Sequence, residues 1–378
     1  MTMHTRRLFQ TAALSLGTAL LVSSCGLFSR LPEGPGVAPT SRAEEILLVA
    51  SLGESDVDGA IESYLINPRT MQTTKTGMTL TPAPTFLTLD AARKTLYATN
   101  ELSREATASA FAFDGSTGLL TPINSSLVLG AAPTYVSSAD DKVVTANYGS
   151  GTITMMYREP SGALKQADWR IELGEKGVSH PHAVVFTPDG SDLFVTDLGL
   201  DRIFHFNVTS GIPPITIAGE GVTLPEGTGP RHFVFDKKGA FAYVIAEKRP
   251  AIFVFKRHGG ELSLVQEVKT GGKGTGAHIA LSPDGRYLYT SFRSGGDGIM
   301  IHSVGADGTL TYVGFTPAPA HPRQFALSPD GHFLAVASRD GGRVTLFERD
   351  VNFGTLRPTG ITIPATRPVF VLWTTKRR

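Results

Sequence analysis

Pro230-Arg231-His232-Phe233-Val234-Phe235, Asp236-Lys237-Lys238-Gly239, Tyr243-Val244-Ile245-Ala246-Glu247 and Ile252-Phe253-Val254-Phe255 follow one another in a single stretch of the chain. Each apolar run is short and rich in β-branched and aromatic residues, with no helical period. The stretch reads as strand, turn, strand, strand. Pro230 suits the first position of a strand, where an N–H can be spared.

The opening of this unit occurs seven times. The copies start at Pro84-Thr85-Phe86, Pro133-Thr134-Tyr135, Pro181-His182-Ala183, Pro230-Arg231-His232, Gly276-Ala277-His278, Pro322-Arg323-Gln324 and Arg367-Pro368-Val369. Successive starts are 49, 48, 49, 46, 46 and 45 residues apart. A four-stranded propeller blade needs about 40–50 residues. Asp189-Gly190, Asp284-Gly285 and Asp330-Gly331 supply the positive φ that a tight hairpin requires. The sequence therefore specifies an all-β, seven-bladed propeller of four-stranded blades.

The last copy has no second strand after it, because the chain ends at Arg378. The first apolar run, Ile46-Leu47-Leu48-Val49-Ala50-Ser51, has no first strand before it. The two fragments complete one blade, so the N- and C-terminal strands are expected to pair and close the ring. Closure removes exposed sheet edges.

The N-terminus reads as an address. Thr5-Arg6-Arg7-Leu8-Phe9-Gln10 resembles a twin-arginine export motif, and an apolar run from about Thr11 to Val22 follows. Val22-Ser23-Ser24-Cys25 resembles a bacterial lipobox. Residues 1–24 then form a signal peptide, 25–43 a lipidated Cys25 with a flexible tether, and 44–378 the propeller. The expected product is an exported lipoprotein facing the periplasm or cell surface, held to the membrane only through Cys25. Gly26 after the cysteine, where Asp would signal inner-membrane retention, points to the outer membrane. Cys25 is the only cysteine, so no intramolecular disulfide can form.

Composition is that of a folded protein, 41% hydrophobic and 18% charged, with a formal charge of +1. Without residues 1–24 the chain loses two arginines and no acids, leaving 33 basic against 34 acidic residues and a net charge of −1. That balance provides no footprint for nucleic acid.

Blade geometry turns the repeat into a site. The first strand of a blade lines the central channel, and the second runs antiparallel beside it. Starts of first strands and ends of second strands thus share one rim. At the starts stand His180, His182, Arg231, His232, His278, His321 and Arg323. At the ends stand Asn100, Glu101, Asn147, Tyr148, Asp197, Glu247, Arg293 and Arg339. Ionisable groups converging on one concave mouth mark a candidate site.

These positions also carry a resemblance. His180-Pro181-His182, Asp197-Leu198-Gly199 with Asp201-Arg202, Gly229-Pro230-Arg231-His232 and Ala146-Asn147-Tyr148-Gly149 resemble the motifs of the seven-bladed lactonase family. That family includes cycloisomerase-type 6-phosphogluconolactonases and the fungal carboxy-muconate lactonizing enzyme. The resemblance runs from about Ile46 to Trp373. It implies a lactone hydrolase that works without metal, with His182, Arg231, Glu247 and Arg293 as catalytic residues. Asn100, Glu101, Asn147, Tyr148, Asp197, His232, His278 and Arg323 are expected around the substrate. Two positions depart from the family pattern: Ala246 precedes Glu247, and Phe292 precedes Arg293, where Asn is usual.

Such residues suit lactone opening. A His or Glu can deprotonate the attacking water, and an Arg fork can hold an oxyanion or a substrate anion. The Gly-X-Ser-X-Gly elbow of serine esterases is absent. The histidines lack a compact metal-ligand spacing, and the acidic ligand arrangement of calcium-dependent gluconolactonases is not found. No cofactor is expected, and the expected partner is a small lactone bound by a monomer. The export signal favours an unphosphorylated lactone, because a phosphorylated sugar lactone is a cytoplasmic metabolite. A cyclase running the reverse reaction, or a tethered propeller that only binds a protein, glycan or small ligand, is the competing expectation.

Overall fold

The computed structural model describes residues 43–377 except positions 56, 93, 272 and 273. The signal peptide, Cys25 and nearly all of the tether lie outside the described residues. Regular structure within them is entirely β, in seven sheets. The innermost strands are Pro84–Asp90, Pro133–Ala139, Pro181–Phe186, Pro230–Phe235, Thr275–Leu281, Pro322–Leu327 and Pro368–Thr375, here defining blades 1 to 7. Each innermost strand touches the next, and the last touches the first. Every start read from the sequence falls within one residue of a strand start.

Blade 4 shows the plan. Its strands Pro230–Phe235, Phe241–Ala246, Ala251–His258 and Glu261–Lys269 pair antiparallel in that order. Blade 3 departs at the outside, where Ile215–Ile217 and Val222–Thr223 both pair with Arg202–Val208. Blade 7 is assembled from both chain ends. Its order is Pro368–Thr375, Glu45–Ser51, Ala60–Ile66, Thr73–Leu80, so the C-terminal strand lines the channel and the N-terminal strand lies beside it.

Second strands are buried on both faces, because each blade is sandwiched between two others. Val195, Val244, Leu288 and Val336 are all fully buried. This is why these strands read as continuous apolar runs, while the outermost strands alternate.

A second period, which the sequence reading did not use, locks blade to blade. The Oη atoms of Tyr97, Tyr243 and Tyr289 donate to the carbonyls of Gly162, Gly308 and Gly354, at 3.1, 3.1 and 2.7 Å. Each tyrosine is in a second strand, and each glycine is in an outer hairpin of the following blade. Gly308 and Gly354 have φ of 80° and 72°, and a Cβ on either would sit 2.3 Å from Phe241 or Tyr287 of the preceding blade. Only glycine meets both demands.

The Asp-Gly turns form as expected, with Gly190, Gly285 and Gly331 at φ of 73°, 70° and 73°. They are wider than two-residue hairpins. In each, the Gly N–H donates to the carbonyl of Thr187, Ser282 or Ser328 three residues earlier.

Candidate active site

A β-bulge at the start of the innermost strands aims the rim side chains. In blades 3, 4 and 6 the pairing skips from Pro181 to Ala183, from Pro230 to His232, and from Pro322 to Gln324. The residues left out of the ladder are His182, Arg231 and Arg323. In blade 5 the skip is longer and omits Ala277 and His278. A bulge turns its extra residue away from the pleat, here towards the channel. The freed N–H groups are caught by second-strand hydroxyls: Ala183 N donates to Thr196 Oγ1 at 3.2 Å and His278 N to Ser291 Oγ at 3.0 Å.

Glu247 is the hub. Its Oε2 lies 2.7 Å from Arg231 Nε and 2.9 Å from Arg293 Nη2. Arg231 is 2% exposed, and its Nη1 also donates to the Ala277 carbonyl and lies 3.1 Å from His232 Nε2. Arg293 Nη1 lies 3.2 Å from His321 Nε2. Across the mouth, Arg323 of blade 6 pairs with Glu101 of blade 1 at 3.3 Å. Blades 1, 4, 5 and 6 thus contribute to one charged ring, as the blade argument required. Asp340, which the sequence reading passed over, bridges Arg339 and His321 at its edge.

Below this ring lies a histidine layer. The rings of His182 and His232 are 5.2 Å apart, and those of His232 and His278 are 5.0 Å apart. Tyr148 stacks on His180 at 4.5 Å and meets His182 edge-on at 5.8 Å. Phe86 and Tyr135 pack edge-on against His232. These two rings also line a separate cavity of about 480 Å³ at the opposite mouth, with Ser137, Ser138 and Asp189. The aromatic layer therefore floors the site. Among the described residues no cluster of His, Cys, Asp or Glu is arranged to hold a metal ion.

Three expected substrate contacts are corrected. Asn100, Asn147 and Asp197 are fully buried, and their side chains serve the scaffold. Asn100 Nδ2 donates to Thr81 and Pro82, and its Oδ1 accepts from Thr107 and Ser109. Asn147 Nδ2 donates to Thr152 Oγ1 and Thr154 Oγ1. Asp197 accepts from Ser179 Oγ and from the N–H groups of His180, Gly199 and Leu200. The second-strand residue that pairs with the opening proline of the first strand faces its own blade edge, and the residue after it reaches the mouth, as Glu101 and Glu247 do. Asn147→Ala is expected to cost about 1–3 kcal/mol of stability through unpaired hydroxyls, with kcat unchanged. Chemical denaturation and an activity assay on the same sample check both halves.

Electrostatics keep the histidines neutral. Burial, then the charges of Arg231, Arg323 and Arg293, hold His182 well below the usual histidine range. Burial and Arg231 do the same to His232, and bring His278 to about 3. Burial alone would raise Glu247, but Arg231 and Arg293 outweigh it and hold the carboxyl below its usual range.

The network also fixes tautomers. A guanidinium has only donors, so His232 Nε2 accepts from Arg231. Neutral His232 then carries its proton on Nδ1, which donates to His278 Nδ1 at 2.8 Å. His278 is left protonated on Nε2. Imidazole ¹⁵N shifts at neutral pH are expected to report Nδ1–H for His232 and Nε2–H for His278. The reverse assignment would break this chain of bonds.

A seven-bladed ring with a paired Arg/Glu mouth over neutral histidines defines a propeller with an enzyme-like site. Comparison with known proteins gives the family. The family described as "Lactonase, 7-bladed beta-propeller" matches residues 47–373, and the chain belongs to it. The chain is 29% identical over 300 residues to a 6-phosphogluconolactonase of Bacillus subtilis, covering 74% of this chain and 85% of that protein. A 6-phosphogluconolactonase of Formosa agariphila is also 29% identical, over 72% of this chain and 83% of its own length. The structure of the periplasmic gluconolactonase of Pseudomonas aeruginosa superposes with a TM-score of 0.83 at 27% identity, covering 89% of this chain and all of that one. Membership makes the chain a lactone hydrolase.

Proposed function

We propose that the chain hydrolyses an unphosphorylated sugar-acid lactone outside the cytoplasm, by general-base attack of water and without a metal. The observation that carries the mechanism is the Glu247 carboxylate, shared by Arg231 and Arg293 beside neutral His182. Both guanidiniums engage the same oxygen, which commits Glu247 to two ion pairs and makes it a positioning group. His182 is the base: its Nδ1 is buried and makes no hydrogen bond to another side chain among the described residues. His182 takes a proton from water as the water oxygen attacks the lactone carbonyl carbon. Arg231 and Arg293 stabilise the oxyanion. The ring C–O bond then breaks, and the leaving oxygen takes the proton back from His182, giving the open hydroxy acid.

The substrate reading rests on charge. Arg231 and Arg293 already share Glu247, and Arg323 already has Glu101. A phosphate dianion would have to compete for these cations, whereas a neutral lactone needs one donor at its carbonyl. The description of the Pseudomonas relative as a periplasmic gluconolactonase and the leader at Arg6-Arg7 with Cys25 support the same reading and an anchored, extracytoplasmic location. The Bacillus relative's name favours the phosphorylated substrate instead. Turnover of gluconolactone, 6-phosphogluconolactone and a muconolactone by the purified chain, with and without chelator, tests the proposal. Preference for the phosphorylated lactone overturns the substrate, loss with chelator overturns the metal-free mechanism, and no turnover leaves a binding module.

The base assignment fixes a pH dependence. The acceptor form of His182 persists as pH falls, because its proton affinity in the folded state is lowered. The acid limb of kcat/KM, which reports the free enzyme, is therefore expected below pH 6.5. A limb at or above the ordinary histidine value would place the base elsewhere.

A further inference from the structure

His302 breaks the repeat at a buried position. It sits in the third strand of blade 5, Gly298–Val304, opposite Leu288. At the same register the other six blades carry Tyr64, Phe111, Met156, Phe206, Phe255 and Phe347, all buried. Five of these have no polar side-chain atom to satisfy except sulfur, and Tyr64 Oη donates to Glu62 at 2.9 Å. His302 is 1% exposed, and neither ring nitrogen has a hydrogen-bond partner among the described residues. Burial lowers its pKa to about 4, so the ring is neutral. An unsatisfied buried polar group is costly and calls for an explanation.

The explanation is next to it. His302 lines a cleft of about 360 Å³ between the outer parts of blades 4 and 5. The walls are Val268, Phe292, Met300, Tyr312 and Phe315, with Lys269 at the edge. The ladder skips beside His302, where Ile301 pairs with Gly314 and His302 with Tyr312. This bulge sets Tyr312 edge-on to the imidazole at 5.9 Å and leaves the tyrosine 59% exposed. The volume is within the range of small-ligand sites, which combine apolar walls with a few polar groups.

We propose that this cleft is a second binding site, for a small aromatic alcohol whose ring fills the apolar walls and whose hydroxyl bonds to His302. A neutral imidazole offers one donor and one acceptor, which a hydroxyl complements. A carboxylate would be desolvated against apolar walls and is disfavoured. The site is separate from the channel and uses none of the mouth residues.

Phenol is the probe. In the full chain labelled at histidine Cε1, phenol titration is expected to move one resonance saturably, and that resonance is the one lost in His302→Phe. His302→Phe installs the residue found in four other blades and is expected to fold with a raised melting temperature and to bind phenol at least fivefold more weakly. Met300→Trp fills the cleft and is expected to abolish binding while lactone hydrolysis is unchanged. No saturable shift in the wild type, or undiminished phenol affinity in His302→Phe, would overturn the proposal.

Discussion

A chain ending at Arg367 is expected not to fold. The deletion removes the innermost strand of blade 7, which pairs with Glu45–Ser51 along its whole length. Val369, Phe370, Val371 and Trp373 are each at most 8% exposed, and Phe370 packs on Phe86 of blade 1 with ring centres 4.4 Å apart. Burying such side chains contributes about 1.5–3 kcal/mol each, roughly 6–12 kcal/mol for the four. The whole stability of a domain is about 5–15 kcal/mol. The loss would also leave Glu45–Ser51 with an unpaired edge beside an opened ring. Circular dichroism and gel filtration would show aggregated or unfolded chain. A cooperative thermal transition in the truncated protein would show that the ring tolerates opening.

Glu247→Gln is expected to lower kcat by roughly 10²–10³-fold. One carboxylate oxygen now serves two guanidiniums, and an amide carries no charge to balance them. Arg231, buried and tied to the Ala277 carbonyl and His232, cannot swing out to water. Arg293, no longer drawn to a shared carboxylate, would be repelled by Arg231, and the oxyanion donors would separate. Removing one partner of a buried ion pair typically costs about 3–5 kcal/mol, reduced here because Glu247 remains partly open to solvent. Stability and kcat should thus fall together in Glu247→Gln, whereas His182→Ala should lose kcat by about 10²–10⁴ with little change in KM. Full activity in either variant would remove that residue from the mechanism.

The ring and its closure were legible because their signals are local. Proline at strand starts, Asp-Gly at turns and a spacing of 45–49 residues are each visible in one pass along the chain. The rim was legible for the same reason: strand starts and ends must meet there. Side-chain direction was not. Asn100 and Glu101 are adjacent, yet one is sealed into its blade and the other faces the channel. The bulges at His182, Arg231 and Arg323 leave no composition signal, since the extra residue is defined by its partner strand. The tyrosine-to-glycine carbonyl bonds span 65 residues and join different blades, so a search within one repeat unit passes them by. A comparison of hairpin glycines across blades would have found them.

The blade shared between the two ends has a consequence for biosynthesis. Glu45, near the start of the propeller, pairs with Thr375 in the propeller's last strand. A ring of this kind cannot close before its last strand has left the ribosome. Blades 1 to 6 can form in order as they emerge, but the first and sixth wait with open flanks until that last strand is free. Contacts this distant in sequence also slow folding. The nascent protein thus has a window, set by the time needed to release the final strand, in which it depends on protection from aggregation and proteolysis.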